Sequence, residues 1–547
     1  MSASKPAAGF MKMVGGAWQV YCALEQIEGF RRAREGEARM LRSLEEAAEV
    51  RAFIMREEAS EKLGAGRLGN LDDAAKFNMF DPNGIFLGAL HGRAVFWNST
   101  SHLLFYGATQ TGKGRDLVLP NLAHVGNRSI VCTDIKNGEN GYASAHHRRV
   151  NLKHRTIALN PHRLLDAPTF RFNPFMRLVR MAQAGQSIAT LSLQASFSIT
   201  PPKDGDDAWV RQGAQELLAL LIEHRARFMA DRCTPSELWR FSFGDTAAML
   251  KTISRCGVDA LEMIADSALR CMQDAPEQWS AYSSEMRAGT KSFRPGEPLA
   301  HITDASDFDP ASMREEPTTV YLMSAESELE ASAKWISLSI GAILETCANT
   351  QGPVPVTFLI DELANLPYMA VIPKALTLYA GLGIQLAGFC QGRNSLTARG
   401  YSEGTIKVFE EQAGVFGMWG VDDTNLMRDI EAWSGRRAVA IKGVNNSGGQ
   451  VASASFSISE HARPVLQSED IRAICDGQMI LRVRGNHLFV VDRVPYFANP
   501  RWRDVLRDVR QLHHGGRERS TTPPPLPASV RQVAPPPLPR LITHRPQ

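Results

Sequence analysis

Residues Gly107-Ala-Thr-Gln-Thr-Gly-Lys-Gly114 fit the pattern G-x-x-x-x-G-K. An apolar run, Leu103 to Tyr106, precedes them, and Asp116 to Leu122 can open a helix behind them. Strand, glycine-rich loop and helix together make a phosphate cradle, because successive backbone N–H groups and the helix N-terminus face one anion. The expected nucleotide contacts are therefore Gly107, Ala108, Thr109, Gln110, Thr111, Gly112, Lys113, Gly114 and Arg115, with the Lys113 ammonium reaching the β and γ phosphates. Gly114 departs from the pattern, since a Ser or Thr there would offer a hydroxyl to magnesium.

A second run, Val356-Thr-Phe-Leu-Ile, ends in Asp361 and Glu362. Read as a buried strand, it brings Asp361 beside the loop as a magnesium ligand and Glu362 next to it to polarise an attacking water. The run Ile384 to Cys390 ends in Gln391, which either contacts the γ-phosphate and the water or only caps its strand. Asp134, Lys136 and Glu139 follow the run Ser129 to Asp134, where open α/β sheets bind ligands, although a solvated loop explains them equally well. The implied cofactors are ATP and Mg2+. A metabolic kinase is disfavoured, because Glu362 beside Asp361 suits water activation better than a dedicated acceptor.

The elements that must hold these residues form an α/β chain. Strand-like runs at Ser129 to Asp134 and Thr156 to Asn160 alternate with helical segments, which predicts a mainly parallel sheet. Strand character then disappears from about Met176 to Ala300. Asp206 can cap a helix there that carries Val210, Ala214, Leu217, Leu218 and Leu221 on one face. The strand pattern returns at Thr318 to Met323, and further runs lie at Val415 to Trp419, Gln478 to Arg484 and His487 to Asp492. The expected division is a charged helical region and linker over 1–68, a nucleotide-binding domain in two parts over 69–175 and 301–512, an inserted all-α domain over 176–300, and a tail over 513–547.

Bulk properties narrow the partners. The net charge is only +3: the tail carries +4 through Arg517, Arg519, Arg531, Arg540 and Arg545 against Glu518, and the rest of the chain carries about −1. A globally basic nucleic-acid binder is therefore not indicated. The tail repeats Pro-Pro-Pro-Leu-Pro at Pro523 to Pro527 and Pro535 to Pro539 and is expected to be disordered, as a docking site or a spacer. The eight cysteines show no C-x-x-C pair and read as reduced thiols of a cytoplasmic protein. No run reaches the ~18 apolar residues of a membrane span, so the expected chain has no anchor of its own.

Taken together, these residues resemble the TraG/TraD-like type IV coupling proteins, ATPases of conjugation and type IV secretion. The resemblance spans roughly Gly69 to Tyr496. It rests on Gly84-Ile-Phe-Leu-Gly88, the Gly107–Gly114 loop, Asp134-Ile-Lys-Asn-Gly-Glu139, Phe172-Asn-Pro174, the helix around Trp209, Phe358-Leu-Ile-Asp-Glu-Leu-Ala364, Arg463-Pro464 and Arg482-Val-Arg-Gly485. It implies a RecA-like P-loop domain interrupted by the all-α domain, and a homo-hexamer with ATP sites between neighbours. The implied partners are single-stranded DNA, a relaxase, and the secretion channel's ATPases and inner-membrane proteins, with the chain peripheral to the inner membrane. Two features depart from the family. A charged stretch over 26–62 replaces the usual transmembrane helices, and Leu378-Tyr-Ala-Gly-Leu-Gly383 lacks the arginine finger of some members, so a trans-acting arginine either comes from elsewhere, with Arg393 one candidate, or is absent. With Gly114 in place, the alternative is a nucleotide-gated adaptor that recruits relaxase or effector proteins and hydrolyses little.

Overall fold

The computed structural model describes residues 66–509 except 109, 203–204, 447–453 and 475–476. The charged stretch over 26–62, the proline-rich tail, Thr109, Cys22 and Cys475 lie outside the described residues. Thirteen strands are described: β1 (Ile85–Leu90), β2 (Arg93–Trp97), β3 (Leu103–Gly107), β4 (Ser129–Asp134), β5 (Arg155–Leu159), β6 (Thr318–Met323), β7 (Val356–Ile360), β8 (Ile384–Cys390), β9 (Val415–Trp419), β10 (Arg436–Asn446), β11 (Ala454–Pro464), β12 (Gln478–Val483) and β13 (Leu488–Asp492). Eleven of them form one sheet in the order β2-β1-β13-β12-β9-β3-β8-β7-β4-β6-β5.

From β9 to β5 all neighbours in that sheet run parallel, whereas β12, β13, β1 and β2 extend it antiparallel. The parallel strands are continuous apolar runs because both faces are covered. In β3, Leu104 and Tyr106 enter one hydrophobic core while Leu103 and Phe105 enter the other. Period-two alternation thus feeds two cores from one strand. The mainly parallel α/β fold is as the sequence predicts. The β10–β11 hairpin, paired from Arg436↔Pro464 to Asn446↔Ala454, is a feature the sequence reading does not contain.

From Met176–Gln183 to Pro298–Thr303 the described residues are helical with no strand between. The Ala208–Phe228 helix buries Ala214, Leu217, Leu218 and Leu221. Its N-cap is Asp207 rather than Asp206, and that side chain makes no capping bond. The two ends of the helical segment are tied together: Phe172 N–H donates to the Ile302 carbonyl at 2.8 Å, and Arg171 pairs with Asp307 at 2.9 Å. The Leu329–Ala348 helix packs Trp335 completely inside the core. No helix among the described residues is long and apolar enough to cross a membrane. Cys132, Cys233, Cys347 and Cys390 are buried free thiols.

Behind the glycine-rich loop the Leu119–His124 helix is fixed by a buried arginine. Arg148 Nη1 donates to the carbonyls of Leu122 (2.7 Å) and Val125 (3.0 Å), and its Nε donates to Thr319 Oγ1 on β6 at 2.6 Å. Burial pulls its guanidinium down to about 10, yet all these acceptors belong to the helix end and the sheet it must join. The carbonyls at the end of a helix otherwise lack partners, so one cation satisfies two of them at once.

Three histidines are also held neutral by burial. His102 receives the Leu386 N–H on Nδ1 (3.1 Å) and donates from Nε2 to the Ala375 carbonyl (3.1 Å), which fixes its tautomer. Burial depresses His102 and His124 to about 4, and burial with nearby Arg148 depresses His154 to about 3. A folded pKa below the unfolded 6.5 means the unfolded chain takes up protons first as pH falls. Stability is therefore full above pH 6.5 and is lost as pH falls toward 4, by about 2 kcal/mol per histidine at pH 5. Urea denaturation at pH 7 and pH 5 checks this. His124→Gln is expected to show a smaller drop between the two pH values than the wild type.

Candidate nucleotide site

The loop leaves β3 at Gly107, where a Cβ atom would lie 2.3 Å from the Trp419 ring, so only glycine permits this approach. Gln110 (φ 61°) and Gly112 (φ 93°) take left-handed steps that coil the backbone before it enters the π-helical turn Gly114–Val118 and the Leu119–His124 helix. Alternating hand of this kind turns successive N–H groups into one concavity. Thr111 Oγ1 donates to the Ala108 carbonyl at 2.6 Å and accepts from Trp419 Nε1 at 2.8 Å.

Arg493, just past β13, donates to the Thr111 carbonyl and pairs with the wholly buried Asp116 at 2.9 Å. Arg115 meets the same carboxylate at 2.5 Å, so its side chain braces the loop. Neither Trp419 nor Arg493 is given a site role in the sequence reading. Both sit at the carboxyl ends of apolar runs, the signal that singles out Asp361 and Gln391, and the same rule applied to every strand finds them.

Lys113 is buried and is shared by two acceptors: its Nζ donates to the Gly107 carbonyl at 3.0 Å and pairs with Glu362 Oε1 at 2.7 Å. β7 ends at Ile360, and Glu362 then adopts a left-handed backbone (φ 57°, ψ 58°). That conformation costs roughly 1–3 kcal/mol in a non-glycine residue, and it turns the carboxylate back toward the loop. Asp361 is buried, with its carbonyl accepting from Thr133 Oγ1 at 3.1 Å. Asp361 Oδ1 and Glu362 Oε2 are buried oxygens without a hydrogen-bond partner. Burial holds the Asp361 carboxyl above its ordinary range; Lys136, 4.0 Å away, opposes this and Glu362 reinforces it. An oxygen in that condition fits a divalent cation, so Asp361 is the residue that would hold Mg2+.

Asp134 has a different task from Lys136 and Glu139. Its oxygens accept from the N–H groups of Asn140 (3.1 Å) and Gly141 (2.8 Å), tying it to the first turn of the Glu139–Val150 helix, and burial raises it to about 7. Lys136 and Glu139 instead line a cavity of about 250 Å³ that Gly114 and Asp361 share. Gln391 is exposed at the end of β8, the strand between β3 and β7. Arg393 pairs with Glu410 at 2.7 Å and Asp429 at 2.5 Å in its own chain.

A parallel sheet with a glycine-rich loop after β3 and an acid-tipped β7 defines a RecA-like P-loop protein. The sequence model of the type IV secretory system conjugative DNA transfer family matches residues 41–515, and the chain belongs to that family. It is 22% identical over 409 residues to protein VirD4 of Agrobacterium fabrum, covering 73% of this chain and 59% of that protein. It is 21% identical over 402 residues to the conjugal transfer protein TraG of Escherichia coli, covering 68% and 62%. The chain thus spans about three-fifths of the length of these curated relatives. Among solved structures it is similar to the bacterial conjugative coupling protein TrwBdeltaN70, with TM-score 0.59, 17% identity, and 80% and 95% of the two chains covered. The structure of TrwB in complex with ADP and Mg2+ aligns with TM-score 0.58 at 16% identity, covering 80% and 96%.

Gly114 is the loop glycine whose environment invites substitution: a Cβ built there meets nothing within 4 Å, and its φ is not positive. Gly114→Ser adds a hydroxyl at the edge of the cavity that Asp361 also lines. Calorimetric titration of ATP at varied Mg2+ is expected to show the half-saturating Mg2+ concentration falling about tenfold in this variant, with thermal stability unchanged.

Proposed function

We propose that this protein is a coupling ATPase that recruits single-stranded DNA with its bound relaxase and drives it toward a type IV secretion channel. The observation that carries this reading is the buried Lys113–Glu362 contact at 2.7 Å with Asp361 alongside, in a chain of the conjugative DNA transfer family. Lys113 neutralises the β and γ phosphates as they bind. Asp361 would hold Mg2+, which would supply charge stabilisation at the phosphates. Glu362 exchanges its lysine contact for the attacking water and takes its proton, and Gln391 reports the γ-phosphate across β8. The TrwB structure with ADP and Mg2+ supports the choice of cofactors.

The working form in this reading is a homo-hexamer at the inner membrane, contacting the channel's ATPases and membrane proteins. DNA contacts are to the backbone, salt-dependent and poor in sequence preference. A second reading, a nucleotide-gated adaptor with little hydrolysis, is favoured by one observation, the missing hydroxyl at Gly114.

ATPase assays with and without single-stranded DNA separate the two. Turnover stimulated by DNA is expected, with Lys113→Ala losing nucleotide binding and Glu362→Gln keeping it but losing at least ~100-fold in rate. Unchanged turnover in both variants sinks the motor reading. Tight ATP binding with negligible DNA-stimulated turnover favours the adaptor.

A further inference from the structure

One buried carboxylate joins the strand that launches the glycine-rich loop to the strand end that carries Gln391. Glu410, on the Glu403–Gln412 helix, is 3% exposed. Its Oε1 accepts from the Tyr106 hydroxyl at 3.0 Å and from Arg393 Nε at 2.8 Å, and its Oε2 accepts from Arg393 Nη2 at 2.7 Å. Tyr106 directly precedes Gly107, where the loop begins, and Arg393 opens the Arg393–Thr397 helix two residues after Gln391. Gln391 itself is exposed, so its direction follows from the backbone that bears it. That backbone is held on one side by the β3–β8 register, Tyr106↔Cys390, and on the other by the fork of Arg393 on Glu410.

Further elements hold the fork in turn. Asp429, on the Thr424–Ser434 helix, accepts from Arg393 Nη2 at 2.5 Å. Arg482 on β12 donates to the Glu410 carbonyl at 3.2 Å, and its guanidinium lies 4.5 Å from the centroid of the Trp433 ring. Burial holds the Tyr106 phenol far above its ordinary range, so it remains a donor. A buried ion pair adds little net stability over apolar residues of the same volume, whereas a bidentate carboxylate–guanidinium pair fixes angle as well as distance. What this pair contributes is geometry.

We propose that Glu410 is a positioning residue: through Arg393 it sets the approach of Gln391 to the γ-phosphate, and through Tyr106 it ties that approach to the strand that launches the loop. The inference deepens the reading of Gln391 as the γ-phosphate contact and rests on it.

The test measures the Kd of magnesium ATP and of magnesium ADP for the full-length protein by calorimetry, because only ATP carries the phosphate that Gln391 would read. In Gln391→Ala the ATP Kd is expected to rise about tenfold, the worth of one hydrogen bond to a charged group, with the ADP Kd unchanged. Glu410→Gln weakens the fork, and Arg393→Lys keeps the charge but loses the fork. Each is expected to show the same selective loss, and Arg393→Lys carries the test if the Glu410 variant does not fold. Combined with Gln391→Ala, neither adds a further loss, since all act through one contact. A wild-type ratio of the ATP and ADP Kd values in both Glu410→Gln and Arg393→Lys overturns the inference, as does equal weakening of the two nucleotides or a fully additive loss in the double variants. If Gln391→Ala also keeps the wild-type ratio, the γ-phosphate reading of Gln391 falls with it; if Gln391→Ala alone shows the selective loss, only the positioning role falls.

Discussion

The ion pair between Lys113 and Glu362 sets the demand that the rest of this structure meets. Both side chains are almost completely buried, at 4% and 7% exposure, so each charge depends on the other and on the Gly107 carbonyl for what water would otherwise supply. One partner leaves β3 and the other follows β7, with β8 between them. Their contact depends on two parallel registers, Tyr106↔Cys390 and Ile360↔Gly388. A slip of one residue in either would move the partners apart and flip the strand's side chains to the opposite core. The strained backbone at Glu362 is tolerated because the sheet, the lysine and the loop determine its position together.

The loop itself is braced from the far end of the chain. Trp419 closes on Gly107 and holds Thr111, while Arg493 grips the Thr111 carbonyl and Asp116. These contacts come from the strand ends of β9 and β13, one paired directly with β3 and the other two strands further out. The antiparallel extension of the sheet thus does more than cover an edge. It delivers the Arg493 cation, which joins the Trp419 indole of the parallel strand β9 in bracing a backbone that must keep its N–H groups turned inward.

Much of this arrangement was legible in the residues alone, and the reasons are physical. Buried parallel strands are continuous apolar runs, so β4, β6, β7, β8 and β9 announced themselves, and an acid or amide at such a strand's tip marks the ligand edge of the sheet. The surroundings of Arg393 are not legible in sequence, because its partners Glu410 and Asp429 are contributed by later helices. The β10–β11 hairpin escaped notice because its strands mix Arg, Ala, Gly, Ser and Asn with few large apolar residues. Asp134 was placed correctly at a strand end, yet only the geometry of Asn140 and Gly141 shows that it serves a helix rather than a ligand.

The helical segment leaves after β5 and returns before β6, and these strands are hydrogen-bonded neighbours whose connecting ends are joined by Arg171–Asp307 and Phe172–Ile302. In polymer terms this makes the insertion a long loop with a closed neck. Lengthening a connection from about ten residues to about 150 adds only roughly 2 kcal/mol of closure entropy, an amount the neck contacts and the buried Ala208–Phe228 helix can offset. The sheet can therefore assemble around β3, β7 and β8 without waiting for the helices between β5 and β6.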